Sequence, residues 1–192
     1  MNAHGQQKHQ VRLDHGIAGA SRIAPGAHLV VVVDALDGHG LLSTAETLRA
    51  VASAPGVDPD ADLLLVTGPA AAADAARRVI ERQARRGDRA VVAIVAAGSV
   101  EPDGFRPAVE DQLAAGAVVD ALAALGIDAS SPEAAVACAA AVSLARASTH
   151  LLTASASAAE LVATDRGDLV ESARASSGQA DRAVAVEVAR AS

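Results

Sequence analysis

The run HLVVVVD at residues 28–34 decides the fold. Its five successive apolar residues are typical of a strand that is buried on both faces, because no polar side chain alternates with them. Residues 63–66 (LLLV) and 90–97 (AVVAIVAA) have the same character. Segments with helical signals separate these runs. This alternation predicts an α/β fold, layered α/β/α, with a mixed sheet of buried strands.

Start and stop signals place the remaining elements around these strands. Helices are expected to begin at a capping box, at a proline in the first helical position or at a capping serine. A glycine or a polar loop is expected to end each of them. The predicted helices span about 43–53, 69–86, 107–126, 131–147 and 168–174. A further short helix is predicted to begin at a capping box at 157–160. Short strands are predicted at 11–13 and 183–189, and a polar loop at 98–106.

Length and composition suggest one domain with a thin core. The chain has 192 residues, of which 50 are alanine and only one, Phe105, is aromatic. Alanine favours helix but buries little apolar area. We therefore predict a disordered polar N-terminus over residues 1–10 and a single α/β domain over 11–192. A homodimer is a further expectation, since a second subunit would add to a thin core.

Charge and composition also bear on partners. The net charge is −7, and the 16 basic residues are scattered without aromatic neighbours, which predicts no nucleic-acid binding. No uninterrupted apolar stretch of membrane-spanning length and no secretory signal are apparent, so we expect a cytoplasmic protein without a membrane partner. The chain has one cysteine, Cys138, which is too few for a disulfide within the chain or for a zinc site.

Asp34 is the most informative polar residue. It follows the buried run directly, and ligands of α/β proteins gather beyond the carboxyl ends of the strands. Burying a carboxylate there is costly unless a cation or hydrogen-bond donors compensate it. Asp34 is therefore a candidate ligand for a hard cation or a candidate nucleophile for phosphoryl transfer. The alternative is a loop-capping aspartate that accepts bonds from nearby backbone amides.

A second group of candidates lies around the start of the helix opened by Pro107. Glu110 and Asp111 occupy its first turns, where acids also simply complement the helix dipole. Arg106 precedes the helix and could bind a phosphate or a carboxylate, although a solvated arginine fits equally well. Gly116, in the same helix, suggests close packing against the sheet.

Several segments together resemble the 2-phosphosulfolactate phosphatase family. VRLDHGIAGA (11–20) is similar to its opening strand and turn, and HLVVVVDAL (28–36) to the strand that ends in an aspartate. VVAIVAAG (91–98) followed by PDGFRPAVEDQLAAGAVV (102–119) is the most similar part. SSPEA (130–134) and residues 155–168 resemble the C-terminal part more loosely. The resemblance covers about two thirds of the chain, with a gap between roughly 37 and 78.

The resemblance implies a magnesium-dependent α/β phosphatase. Such an enzyme hydrolyses 2-phosphosulfolactate, a small anionic phosphate ester, to sulfolactate and phosphate on a route to coenzyme M. By matching position, Asp34, Glu110 and Asp111 would belong to the site. We expect these three to hold Mg²⁺, with Asp34 as the catalytic residue and Arg106 binding the substrate.

The sequence also departs from that family. Asp37 stands where the family has a phosphate-facing arginine, Ser99 where it has an acid, and the family's Asn-Gly-Thr segment has no counterpart. Fewer cations weaken the binding of an anionic substrate. The alternative function is therefore a catalytically inactive relative that serves as a binding or oligomerisation module. A third hypothesis is an unrelated α/β protein whose motifs match by chance.

Overall fold

The structure, a computed structural model, describes residues 5–177 and 184–185. Within these residues, five strands form a mixed sheet and two form a hairpin. The strands are β1 (Val11–His15), β2 (Leu29–Val33), β3 (Asp62–Val66), β4 (Val92–Ala96), β5 (Ser99–Glu101), β6 (Gly104–Arg106) and β7 (Val184–Ala185). The sheet order is β1-β4-β2-β3-β7, with the first four strands parallel and β7 antiparallel at the edge. The predicted α/β class with a mixed sheet is confirmed.

Helices cover both faces of this sheet. The α-helices are α1 (Gly16–Ile23), α2 (Thr44–Ala52), α3 (Ala72–Arg86), α4 (Val109–Ala124), α5 (Pro132–Leu144), α6 (Ser148–Thr153), α7 (Ala156–Ala163) and α8 (Gly167–Ser176). Val31 and Ile94 pack in one core with residues of α3, α4 and α5, whereas Val30 and Val95 pack in another with residues of α1 and α2. All five residues of β2 are buried, because helices lie on both sides of it.

The segment 98–106 is a hairpin rather than the predicted polar loop. Ser99 pairs with Arg106, Val100 with Phe105, and Glu101 with Gly104. Cross-strand pairs of this kind stabilise a short ribbon even when its residues are mostly polar. The loop prediction was wrong because these mostly polar residues pair with one another across a turn at Pro102-Asp103.

The N-terminus also differs from expectation over residues 5–10. The side-chain amide of Gln6 donates to the carbonyl of Leu13 (2.8 Å) and accepts from its N–H (3.0 Å), as a neighbouring strand would. Gln10 is buried and donates to the carbonyl of Ala90 (2.8 Å). These bonds order a polar segment that the sequence predicts to be disordered. Residues 1–4 lie outside the described residues, as does all of the predicted strand at 183–189 except Val184–Ala185.

The stretch Pro132–Ala163 has the length and the mean hydropathy (1.4) of a membrane-spanning helix. In the structure it comprises α5, a 3-10 turn at Ala145–Ala147, α6 and α7. Length and composition alone are weak grounds for a membrane span, so the absence of a membrane partner stays a prediction.

Helix α7 tests the capping rules directly. Ser155, not the predicted Ser157, is its N-cap, and its hydroxyl accepts from the N–H of Ala158 (3.1 Å). Ser157 lies in the first turn, and its buried hydroxyl has no partner in the described part of the chain. We expect Ser155→Ala to lower the free energy of unfolding by about 1 kcal/mol, because a cap is lost.

Ser157→Ala is the matched control for this change. It removes an unpartnered buried hydroxyl, so it should leave the unfolding free energy unchanged or raise it. Urea unfolding monitored by circular dichroism measures both variants. Equal losses in the two would contradict the assignment of the cap to Ser155.

Candidate metal site at the carboxyl edge of the sheet

The candidate residues converge where β2 and β4 end side by side. β2 lies between β3 and β4, and the chain crosses from one side of β2 to the other on its way from β3 to β4. Helix α2, which follows β2, packs on one face of the sheet, and α4, the first helix after β4, packs on the other. This is a topological switch point, the position at which α/β sheets open a crevice for ligands. Residues 34–35 follow β2 here, and residues 97–98 follow β4.

Asp34 is buried, with 6% of its surface exposed. Its Oδ2 accepts from the hydroxyl of Thr44 (2.8 Å), whereas its Oδ1 has no partner among the described residues. Burial raises the pKa of Asp34 to about 7, and the charges of Asp37 and Glu110 act in the same direction, whereas the hydroxyl of Thr44 and the backbone N–H of Leu36 oppose the rise. Within the described part of the chain, Oδ1 of this buried carboxyl is therefore left without a hydrogen bond of good geometry and is available to a ligand.

Asp111 lies at the start of α4 and is fully buried. One of its oxygens accepts from the N–H of Ala35 and the other from the N–H of Gly98, both at 2.8 Å. The carboxyl thus ties the end of β2 to the end of β4. Burial holds the pKa of Asp111 well above its usual value, and the charge of Asp34 adds to this effect. Each oxygen keeps a second lone pair that a cation could use.

His39 belongs to the same cluster, although it is not among the site residues predicted from the sequence. Asp34, His39 and Asp111 each offer one ligand atom, and these atoms lie within 4.8 Å of one another. His39 is 3% exposed, and its Nδ1 has no partner in the described structure. Burial lowers the pKa of His39, although the charge of Glu110 opposes this. A GHG turn after a strand is the signal that could have found it.

Glu110 is the predicted metal ligand that does not join this three-residue group. It is 3% exposed, and neither carboxylate oxygen has a partner among the described residues. Its charge nevertheless raises the pKa of both Asp34 and Asp111. Glu110 also lines a small cavity with Pro69, Leu113 and Ser148. It therefore lies beside the cluster, as a further source of negative charge.

The acids of the cluster have no cationic ion-pair partner among the described residues. Within residues 5–177 and 184–185, no arginine or lysine forms an ion pair with Asp34, Glu110 or Asp111. Buried carboxylates of this kind are paired, protonated or bound to a metal. The unpartnered oxygens of Asp34 and Glu110 and the unpartnered nitrogen of His39 are suitable ligands. The residues present therefore fit a divalent cation.

Arg106, the predicted substrate-binding residue, is already engaged. Its guanidinium lies 3.2 Å from Oε1 of Glu101 and 3.5 Å from Oε2 of Glu160. Ser99 donates to the same oxygen of Glu101 (2.5 Å). The structure thus places Arg106 in a local network of acids, where two carboxylates neutralise its charge.

Arg166 is a second candidate for binding an anion, and it is not among the site residues predicted from the sequence. A Cβ added to Gly38 would lie 2.7 Å from its Nη1, so the guanidinium covers the loop that carries His39. Its Nε donates to Thr164 (3.3 Å), and no carboxylate in the described ranges forms an ion pair with it. Nothing in the local sequence signals this proximity, since about 130 residues separate Arg166 from the loop.

Fold and cluster define an α/β protein with a candidate cation site at its switch point. No family model matches the chain, and no curated protein matches it either. The resemblance to the 2-phosphosulfolactate phosphatase family therefore stays a prediction from the quoted motifs.

Proposed function

We propose that the protein is a divalent-cation-dependent phosphatase that hydrolyses small anionic phosphate esters. One observation carries the proposal: Asp34, His39 and Asp111 place ligand atoms within 4.8 Å of one another at the switch point. A cluster of buried acids without cationic partners supports binding of a cation. Among phosphate esters, the motif resemblance favours 2-phosphosulfolactate, with sulfolactate and phosphate as the products.

Each residue of the site would have its own role. Asp34 and Asp111 would hold Mg²⁺, the cation that the resemblance implies, and Glu110 would add negative charge beside it. When bound, such an ion polarises a phosphoryl oxygen and lowers the pKa of a bound water. Asp111 would keep the two strand ends at a fixed spacing through its bonds to Ala35 and Gly98. Asp34, with one free oxygen, is the residue closest to a catalytic role.

A substrate would need a local opening beside the loop over residues 35–42, since the ligand atoms are enclosed. Asp34, His39 and Asp111 are all nearly or fully buried beneath it. Arg166 lies against this loop and is the better candidate to attract a phosphate, because Arg106 is neutralised by two glutamates. We therefore assign anion binding to Arg166 rather than to Arg106.

Arg166→Met tests this assignment. The loss of a charge-assisted hydrogen bond to phosphate should raise KM about 10- to 100-fold while kcat changes less. Arg106→Met should raise KM less, and Arg174→Met, which alters an exposed arginine paired with Glu171, should have no effect. Steady-state phosphate release measures all three variants. A larger rise in KM for Arg106→Met would return the role to Arg106.

The proposal itself is tested by phosphate release from 2-phosphosulfolactate and from a panel of other small phosphate esters. The full chain is assayed with millimolar Mg²⁺ and with a chelator. Turnover that depends on the cation is the expected result. A folded protein that releases no phosphate from any ester with any divalent cation would overturn the proposal.

The second candidate function is a non-catalytic relative that acts as a binding or oligomerisation module. It is favoured by the engagement of Arg106 with Glu101 and Glu160, which leaves the predicted substrate-binding group without free charge. In that case the folded chain would bind no Mg²⁺, and millimolar Mg²⁺ would not raise its melting temperature.

A further inference from the structure

The loop that carries His39 is built to direct this side chain inward. Gly38 and Gly40 flank it with φ values of +80° and +70°, a region that other residues rarely adopt. The N–H of Gly40 donates to Oε1 of Glu160 (2.7 Å). A Cβ at Gly40 would overlap the hydroxyl of Ser99. The loop is therefore held on both sides of His39, and the imidazole is fixed against the cluster.

The buried imidazole has no role that the chain itself explains. Its Nδ1 is buried without a partner among the described residues, although buried polar atoms are normally bonded. Asp34 Oδ1 is unpartnered in the same way. His39 and Asp34 belong to one cluster, and each has a buried polar atom without a partner in the described part of the chain. Two such atoms indicate a ligand that both residues share.

The spacing of the cluster suits a single ion. Zinc-like ions lie about 2.0–2.2 Å from nitrogen and oxygen ligands, so two ligands of one ion lie at most about 4.4 Å apart. The three ligand atoms here lie within 4.8 Å of one another, so small side-chain movements bring all three into the shell of one ion. The mixture of donors then decides which ion is bound. Mg²⁺ takes oxygen ligands, whereas imidazole suits ions such as Zn²⁺, Fe²⁺, Ni²⁺ and Cu²⁺.

We infer that His39 is a metal ligand and that the Asp34–His39–Asp111 cluster is a nitrogen–oxygen site for a transition-metal ion such as Zn²⁺ or Fe²⁺, for which Mn²⁺ can serve as a paramagnetic substitute. The inference rests on the proposed function only in using the same cluster. It differs from the oxygen-only set of Asp34, Glu110 and Asp111 that the sequence predicts for Mg²⁺.

Binding of Mn²⁺ to the full chain tests the inference without any assay of activity. Electron spin-echo envelope modulation of the Mn²⁺-loaded wild type should show coupling to one imidazole nitrogen. His39→Gln should abolish this coupling and weaken Zn²⁺ binding by about tenfold or more, while Mg²⁺ binding, measured by competition, changes about threefold or less. His150→Gln, which alters an exposed histidine, is the control and should preserve both properties.

The outcomes separate the inference from the proposed function. Bound Mn²⁺ without nitrogen coupling in the wild type, or no stoichiometric Mn²⁺ binding at all, overturns the inference even if His39→Gln does not fold. Equal losses of Zn²⁺ and Mg²⁺ affinity in a folded His39→Gln also overturn it. Nitrogen coupling in a protein that hydrolyses no phosphate ester supports the inference while the proposed function fails.

Discussion

Asp34→Asn should abolish cation-dependent phosphate release and make the metal-free protein more stable at pH 8. The amide that replaces the carboxylate is a poor ligand for a hard cation, because it carries no charge. A bound metal stabilises a phosphoryl transition state by several kcal/mol, so the loss should be at least about 100-fold in kcat. The substitution preserves side-chain shape, and the oxygen that accepts from Thr44 can remain in place.

The stability effect follows from the sign of the pKa shift. The pKa of Asp34 is raised by burial to about 7 in the folded chain, from an ordinary value of 3.8. The metal-free folded state therefore holds a proton that the unfolded chain releases, and this stabilisation is lost as the pH rises through about 7. Asparagine is neutral in both states. At pH 8 the variant should exceed the wild type by roughly 2–4 kcal/mol.

Urea unfolding in the presence of a chelator, between pH 4 and pH 8, measures this difference. The advantage of Asp34→Asn should be small at pH 4 and should grow until about pH 7. Asp168→Asn, which alters an exposed acid of α8, should show neither the gain in stability nor the loss of turnover. If Asp34→Asn were less stable than the wild type at pH 8 without metal, Asp34 would have a favourable charged partner in the folded state.

Asp34 and Asp111 were predictable because their signals are local. A carboxylate after a buried run, and an acid in the first turn after Pro107, mark strand and helix ends that the sheet brings to one edge. His39 has only a weak local signal, the GHG turn that follows β2. Its position depends on a bond from Gly40 to Glu160, which lies 120 residues further along the chain. Contacts of that range leave no periodic trace in the sequence.

The secondary-structure elements also differ in whether a local sequence signal predicts them. The continuous apolar runs predicted β2, β3 and β4, since burial on both faces excludes polar residues there. The hairpin of β5 and β6 was missed, because its pairing depends on cross-strand contacts rather than on burial. The serine at the start of α7 was also misplaced. Ser155 and Ser157 both precede alanine-rich sequence, and only the folded chain shows which of them bonds to a free amide.

Gly116→Val should cost at least about 3 kcal/mol of stability, because overpacking a rigid contact usually costs 1–3 kcal/mol and here the obstacle is backbone. A Cβ at Gly116 would overlap the carbonyl oxygen of Ala137 in α5 and would lie 2.8 Å from the Cβ of Ala141. The sequence suggested close packing of Gly116 against the sheet. The structure places the contact between α4 and α5 instead, where small residues allow two helices to approach.

Ala123→Val separates this steric effect from the helix propensity of valine. Ala123 is exposed on α4, so the control should lose only about 0.5 kcal/mol. Urea unfolding measures both variants, and equal losses would show that α5 moves aside without cost. The same helix carries Asp111, whose two bonds fix the ends of β2 and β4. A displaced α4 in Gly116→Val should therefore also weaken cation binding, which would make the close approach of α4 and α5 a requirement of the metal site.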